Sequence, residues 1–434
     1  MTWWLALGIG LAFLLSLFAL GIPIFVAFLI VNIVGVLAFF GPAGFGLFAN
    51  SVFTTATTAA LVTAPLFVLM GELLFRSGAM EVVLNSLDRL IGRIRGRQYV
   101  LCILLSAILG ALSGAAIAVA GMLGRSLLPA MLKRGYDRKL SAGTILGGAS
   151  LDPVIPPSVL AIIIGTLADV SIAALLIAGI LPGLLLALLF LVYVLIRVWR
   201  DPSLAPEPAR DEGPARGSKT MAVVRMAPAG LVFFMVIGLI MLGIATPSEA
   251  AATGVLGALA VAALYRALRL SAIVEALKSA VNVAGQILLI MCSAVMFSQL
   301  LTFTGATTEL TKIVAGLELG RPLMLLLMMA LPFVLFMFLD QVALMLVIIP
   351  IYQPLLKILG FDAVWFWTLF LINAAAGALT PPFGYVLFAL KSAAPELTMG
   401  EIFSASWPFV WLLVLGIAIL ALFPPIVTFL PSLM

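Results

Sequence analysis

Gly147-Gly148-Ala149-Ser150-Leu151-Asp152-Pro153-Val154-Ile155-Pro156-Pro157-Ser158 interrupts a stretch that is otherwise apolar from residue 139 to 168. Proline removes a backbone donor and biases the preceding residue away from helix, so two in succession open a helix and free its carbonyls. The device returns as Asn373-Ala374-Ala375-Ala376-Gly377-Ala378-Leu379-Thr380-Pro381-Pro382, inside the apolar stretch 363–393. The two proline pairs are 225 residues apart. The same offset relates Pro129 to Pro354, and Gly135-Tyr136-Asp137 to Gly360-Phe361-Asp362. Looser echoes join Pro23 to Pro247, Gly78 to Gly305 and Pro182 to Pro408. Three features in one register mark an internal repeat.

Around these breaks the chain is too apolar for water. Of its 434 residues 64% are apolar and 9% charged, against about 45–50% and about 25% in a soluble domain. That excludes a soluble enzyme, a nucleic-acid reader despite the net charge of +5, and a disulfide scaffold. Cys102 and Cys292 lie in apolar runs and read as core residues. With no histidine, the usual zinc sites, histidine triads and histidine proton relays are excluded.

A bilayer core needs about 20 helical residues per span. Ten spans are expected at 3–20, 22–40, 52–75, 139–168, 171–196, 226–246, 249–266, 281–303, 363–393 and 403–430. The first has Trp3 and Trp4 before it, not a basic region, and reads as a span, not a signal peptide. Two further apolar stretches, 98–132 and 322–356, break at Leu112-Ser113-Gly114-Ala115 and Phe338-Leu339-Asp340-Gln341, and read as re-entrant hairpins. The expected fold is an all-α polytopic membrane protein. A first repeat (1–200) carries an amphipathic interfacial arm at 76–97, hairpin 98–132 and broken helix 139–168. A polar linker follows (201–225), with four prolines between 201 and 220. The second repeat (226–434) carries hairpin 322–356 and broken helix 363–393. Residues 267–280 read as a shorter relative of the arm.

Orientation follows from loop charge. Placing 76–97 in the cytoplasm puts 19 of the 23 basic residues on that side, provided both broken stretches re-enter. The N-terminus is then outside. The Gly-aromatic-Asp loop falls inside in one half and outside in the other, so the repeat is inverted, as in many secondary transporters.

Unwound backbone at membrane depth is tolerated where it lines a protein cavity. Freed carbonyls suit a hard cation such as sodium, and helix N-termini favour an anion. Two hairpin tips and two broken helices near the midplane make the candidate substrate and ion site: Ser113, Gly114, Gly148, Ser150, Asp152, Pro156, Pro157, Ser158, Asp340, Gln341, Asn373, Gly377, Thr380, Pro381 and Pro382. Sodium is expected at Ser113, Asp152, Asp340, Thr380 and nearby carbonyls, as the coupling ion and with no other cofactor. Asp340 has two readings, an ion or gating role and a cap on the second hairpin arm. Asp152 likewise reads as ligand or cap. The hydroxyl and amide side chains at the breaks either satisfy freed backbone or touch substrate. Arg125 either balances a substrate carboxylate or snorkels to the interface.

The chain resembles the large membrane subunit of tripartite ATP-independent periplasmic (TRAP) transporters nearly end to end. The resemblance is carried by Ala64-Pro65-Leu66-Phe67-Val68-Leu69-Met70-Gly71, by Pro129-Ala130-Met131-Leu132-Lys133-Arg134-Gly135-Tyr136-Asp137 and by Ile155-Pro156-Pro157-Ser158. It continues in Ala178-Gly179-Ile180-Leu181-Pro182-Gly183, Ala245-Thr246-Pro247-Ser248-Glu249-Ala250, Phe338-Leu339-Asp340 and Thr380-Pro381-Pro382-Phe383-Gly384. The last segment, extended to Lys391, looks most like the branch associated with hydroxy-, keto- or aromatic acids. The resemblance implies an elevator-type transporter of the bacterial inner membrane, with sodium-driven uptake of an organic acid. It also implies a small four-span membrane subunit and a periplasmic binding protein as partners, besides membrane lipid, and no nucleic acid. An intramembrane enzyme lacks paired carboxylates on one helix and a plausible Ser/Lys dyad. An ion channel fits an inverted repeat less well than alternating access does. The nearest alternative is a stand-alone sodium/divalent-anion symporter of related fold.

Overall fold

Backbone polar groups in hydrocarbon need internal partners, which leaves helices or closed barrels. Every regular element among the described residues is helical. The computed structural model describes residues 3–92, 94–113, 116–207, 219–317 and 319–434, apart from the side chains of 43, 47, 111–113 and 315. The first half runs α1 (Trp3–Ala19), α2 (Ile24–Phe40), α3 (Phe45–Ala56), α4 (Thr63–Arg76), α5 (Ala79–Ile91), α6 (Arg97–Ser113), α7 (Ala116–Ser126), α8 (Leu128–Lys133), α9 (Arg138–Ala149), α10 (Val159–Leu167), α11 (Ile172–Ala178) and α12 (Ile180–Arg200). The second runs α13 (Lys219–Met241), α14 (Pro247–Leu264), α15 (Leu270–Phe303), α16 (Ala306–Gly316), α17 (Arg321–Phe336), α18 (Gln341–Leu359), α19 (Ala363–Leu379), α20 (Tyr385–Ala393) and α21 (Met399–Leu422).

The repeated Gly-aromatic-Asp loop has a capping role in both halves. Gly135 and Gly360 take the left-handed conformation, at φ +85° and +66°, where the preceding helix stops. Asp137 then caps α9 by accepting from Leu140 N–H, and Asp362 caps α19 by accepting from Trp365 N–H, both at 2.7 Å. Thr246 and Thr398 begin α14 and α21 with capping boxes to Glu249 and Glu401.

Eight helical stretches among the described residues are long and apolar enough to cross a membrane. The ten expected spans included 3–20 and 22–40, where α1 and α2 are 17-residue helices, about 26 Å long. The expected span 139–168 is the pair α9 and α10, of 12 and 9 residues. The span 52–75 is split after Ala56, and α4 starts only at Thr63. Residues 171–196 fall within one apolar span, Ile172–Arg200, with a turn at Gly179 between α11 and α12, and 403–430 ends as a long helix at Leu422, before Pro424 and Pro425.

Two further expectations change. Residues 267–280 are not a relative of the interfacial arm, because from Leu270 they form the start of the 34-residue α15. The counterpart of α5 is α16: Gly78 and Gly305, at φ +75° and +72°, stand directly before the two helices. The linker is shorter than 201–225 at both ends. Helix α13 already begins at Lys219, and Leu204 and Ala205 are buried. Arg95 donates to the carbonyls of Pro202 and Ala205, while the Tyr99 hydroxyl and Asp137 N–H both donate to Leu204 O.

The packing sorts the helices into two groups. Helices α2, α4, α14 and α15 pack together; α6, α7, α9, α19, α20 and α21 form a second set. Helix α6 lies on α9, and α17 joins the second set by lying on α19, so each hairpin's first arm rests on the broken helix of its own half. The second arms cross over: α7 packs on α20, and α18 on α10.

Candidate functional site

Close approach of each broken helix to its hairpin dictates the local residues. In the first half a Cβ on Gly110 of α6 would come 3.0 Å from the Asp152 Cα, and one on Gly148 would come 2.3 Å from the Ser106 Oγ. In the second half a Cβ on Gly377 would meet the Phe336 Cβ at 2.2 Å. Gly148 and Gly377 are therefore contact points, where only a hydrogen fits between helix and hairpin arm.

The polar groups divide between binding backbone and facing one another. Asn373 Nδ2 donates to Met329 O at 2.9 Å, fastening α19 to α17. Gln341, buried at the start of α18, donates through Nε2 to Ala374 O at 2.6 Å and accepts at Oε1 from the Tyr385 hydroxyl. Thr380 Oγ1 donates to Ala376 O, and Ser150 Oγ to Gly147 O. Ser158 donates to Pro153 O and caps α10 by accepting from Ala161 N–H. The Pro156–Pro157 and Pro381–Pro382 bonds are both cis. The hydroxyl and amide groups thus bind backbone carbonyls at and beside the breaks, and Ser158 takes the Pro153 carbonyl that Pro157 cannot pair.

The two acids sit differently. Asp340 is exposed at the tip between α17 and α18, and its Oδ1 accepts from Val342 and Ala343 N–H at 2.9 and 3.2 Å. Asp340 therefore N-caps α18. Asp152 is buried, at 5% exposure, beside Gly110. Its carboxylate takes a backbone hydrogen bond from Ala116, the first residue of α7. Its Oδ1 has no hydrogen-bond partner among the described residues, and no ion pair reaches it. Gly114 and the Ser113 side chain lie outside the described residues.

Beside this assembly is a cavity of about 500 Å³. Leu109 of α6, Val119 of α7, Val159 of α10 and Val342 of α18 form one wall; α4 and α15 form the other. The cavity therefore lies between the two packing groups, next to both hairpins. None of the described predicted site residues lines it.

Residues 11–426 match the family model of the tripartite ATP-independent periplasmic transporter, DctM component. The chain belongs to this family. It is 30% identical to the ectoine TRAP transporter large permease protein TeaC of Halomonas elongata, over 98% of this chain and 99% of that one. The C4-dicarboxylate protein DctM of Pseudomonas aeruginosa is 28% identical, over 91% of each chain. The sialic acid protein SiaM of Vibrio cholerae is 30% identical, over 86% of each. The fold is shared with the YdaH transporter of Alcanivorax borkumensis, at a TM-score of 0.62, 18% identity and coverage of 87% of this chain and 86% of that one. It is also shared with Neisseria gonorrhoeae MtrF, described as one of a class of antimetabolite efflux pumps, at 0.61, 14%, 89% and 85%. The chain is a TRAP large permease subunit and a multi-pass inner-membrane protein.

Sequence reasoning missed several residues of this permease. Gly110, Ser106 and Phe336 are the hairpin sides of the close contacts, and Tyr385 secures Gln341. Only Tyr385 carried a signal, as a polar ring three residues after Pro382.

Proposed function

We propose that this TRAP permease takes up an organic acid together with sodium, with the hairpins and broken helices moving as one body past the α2–α4–α14–α15 scaffold. The observation that carries the reading is the Oδ1 of buried Asp152, which has no hydrogen-bond partner among the described residues. A buried carboxylate without a counter-charge is costly, and a sodium ion shared with the freed carbonyls nearby supplies the charge. Among the described residues no group of three His, Cys, Asp or Glu side chains could hold a metal ion. That suits a weakly held, transported ion ligated by one carboxylate and backbone oxygens. Asp340, Thr380 and the first tip extend the proposed ion sites. The cavity between the two packing groups supports sliding of one against the other.

The acid is delivered by a periplasmic binding protein, and a small four-span membrane subunit completes the transporter. The domain division follows the repeat, with 1–200 and 226–434 as inverted halves. The test is uptake into proteoliposomes holding all three components under an imposed sodium gradient. Accumulation should require both sodium and the binding protein. Equal accumulation without sodium, or full activity without the binding protein, defeats the reading.

A further inference from the structure

We infer that Arg125 holds the moving group at two stations on the scaffold wall, the Glu72–Ser279 pair and Gln286, so that the slide between them is a step and not a drift. This rests on the transport reading above and names the residues that position its two resting states. Arg125 stands in the last turn of α7, the second arm of the first hairpin. Helix α7 is fixed to the moving group: a Cβ on Gly124 would come 2.9 Å from both Leu390 and Ala393 of α20. The Arg125 side chain does not run out past the end of its helix. Both terminal nitrogens lie 3.8 Å from where a Cβ on Gly121 would stand, one turn back along α7. The guanidinium therefore leans toward the middle of the helix, beside the cavity it lines. It has no hydrogen bond or ion pair to the described residues.

The scaffold wall across the cavity offers two acceptors. Glu72 of α4 is held against α15: Ser279 Oγ and Arg76 Nε each donate to it at 2.9 Å, and Arg76 also pairs with Glu275. Seven residues beyond Ser279, about 10 Å along α15, Gln286 faces the same cavity. Its amide has no partner among the described residues. Between the two the wall presents Val283. A guanidinium has five donors and no acceptor. It can share Glu72 with Arg76 or donate to Gln286 Oε1, and at Val283 it meets no acceptor side chain. A cation left unpaired against an apolar wall is costly, so intermediate positions are disfavoured and the slide has two resting points. Val119 and Met122 of α7 and Val342 of α18, which also line the cavity, are apolar and fit either position alike.

The test uses the full chain in lipid nanodiscs, with nitroxide labels on Lys139→Cys of α9 and Ser271→Cys of α15, both exposed positions. Cys292→Ser removes the accessible thiol, and Cys102, fully buried, stays in place. Pulsed electron paramagnetic resonance reads the distance between the two groups with and without sodium chloride. Two distance populations should appear. Glu72→Gln should shift their ratio about tenfold, the scale of one charge-assisted hydrogen bond. Gln286→Leu should shift it a few-fold in the opposite direction. In an Arg125→Leu background both substitutions should lose their effect, which a merely structural role of Glu72 or Gln286 would not produce. Melting temperature reports that each variant is folded, and Arg125→Lys, which keeps the charge, should retain both populations. Shifts of equal size with and without Arg125, or no shift from either substitution, overturn the two stations and leave the transport reading standing. A single distance in the native background, unchanged by sodium, overturns the slide on which both rest.

Discussion

Each half carries one carboxylate at its breaks, on a different element and held by different means. In the first half the acid is on the broken helix, where Asp152 reaches across to the first residue of α7. In the second it is on the tip, where Asp340 caps the first turn of α18 from directly before it. The small residue has also changed sides. Gly110 on the hairpin arm admits Asp152, whereas Gly377 on the broken helix admits Phe336. Asp152 and Gly377 are one repeat apart, as are Ala116 and Gln341. A two-fold framework thus supports two unlike sites. One has a buried acid with an oxygen unpartnered among the described residues; the other is closed by amide and phenol hydrogen bonds from Gln341, Asn373 and Tyr385.

The comparison is broken most severely at Gly377. Gly377→Ala sets a methyl where Phe336 already stands, and overpacking should cost about 3 kcal/mol or more. Thermal melting of the purified protein should drop and uptake should be lost, with Phe336→Ala restoring much of both in the double variant. The acids come next. Asp152→Asn should raise the sodium concentration for half-maximal uptake more than tenfold, whereas Asp340→Asn should raise it only a few-fold, because asparagine caps nearly as well as aspartate. An equal response of the two would erase the distinction between the halves. Gln341→Leu leaves Ala374 O and the Tyr385 hydroxyl without partners, and should cost about 1–3 kcal/mol in melting experiments. The smallest effect is expected on melting for Arg76→Ala, which removes partly exposed pairs with Glu72 and Glu275, each worth at most about 1 kcal/mol.

The framework was legible because its markers are backbone devices. Proline pairs, the Gly-aromatic-Asp loop and the left-handed glycines act alike wherever they stand, so their 225-residue register carried the repeat and both broken helices. The relation of the arm to 267–280 was misread for a corresponding reason. Two segments shared an amphipathic composition, while the feature that begins the true counterpart is Gly305. Asp340 carried two readings in sequence because the same spacing serves a cap and a ligand; the distances to Val342 and Ala343 show the cap, which is compatible with the proposed ion role. The close contacts were hidden. Gly110, Ser106 and Phe336 acquire meaning only from the residue across the gap, which is 41 to 42 positions away in the chain. The cavity wall was hidden too, since Val159 and Val342 differ in no local way from dozens of valines in lipid.

The crossing of the second arms has a consequence for how the chain is made. Helix α7 ends its search for a neighbour on α20, whose Leu390 and Ala393 lie against Gly124. Some 265 residues separate the two, about 13–53 s of synthesis at 5–20 residues per second. For that interval the first hairpin is in the membrane with one face uncovered, and a ribosome that stalls after the linker leaves it so. Neither half is a finished product, and a quality-control protease that recognises the bare face of α7 would sense whether translation had run to its end.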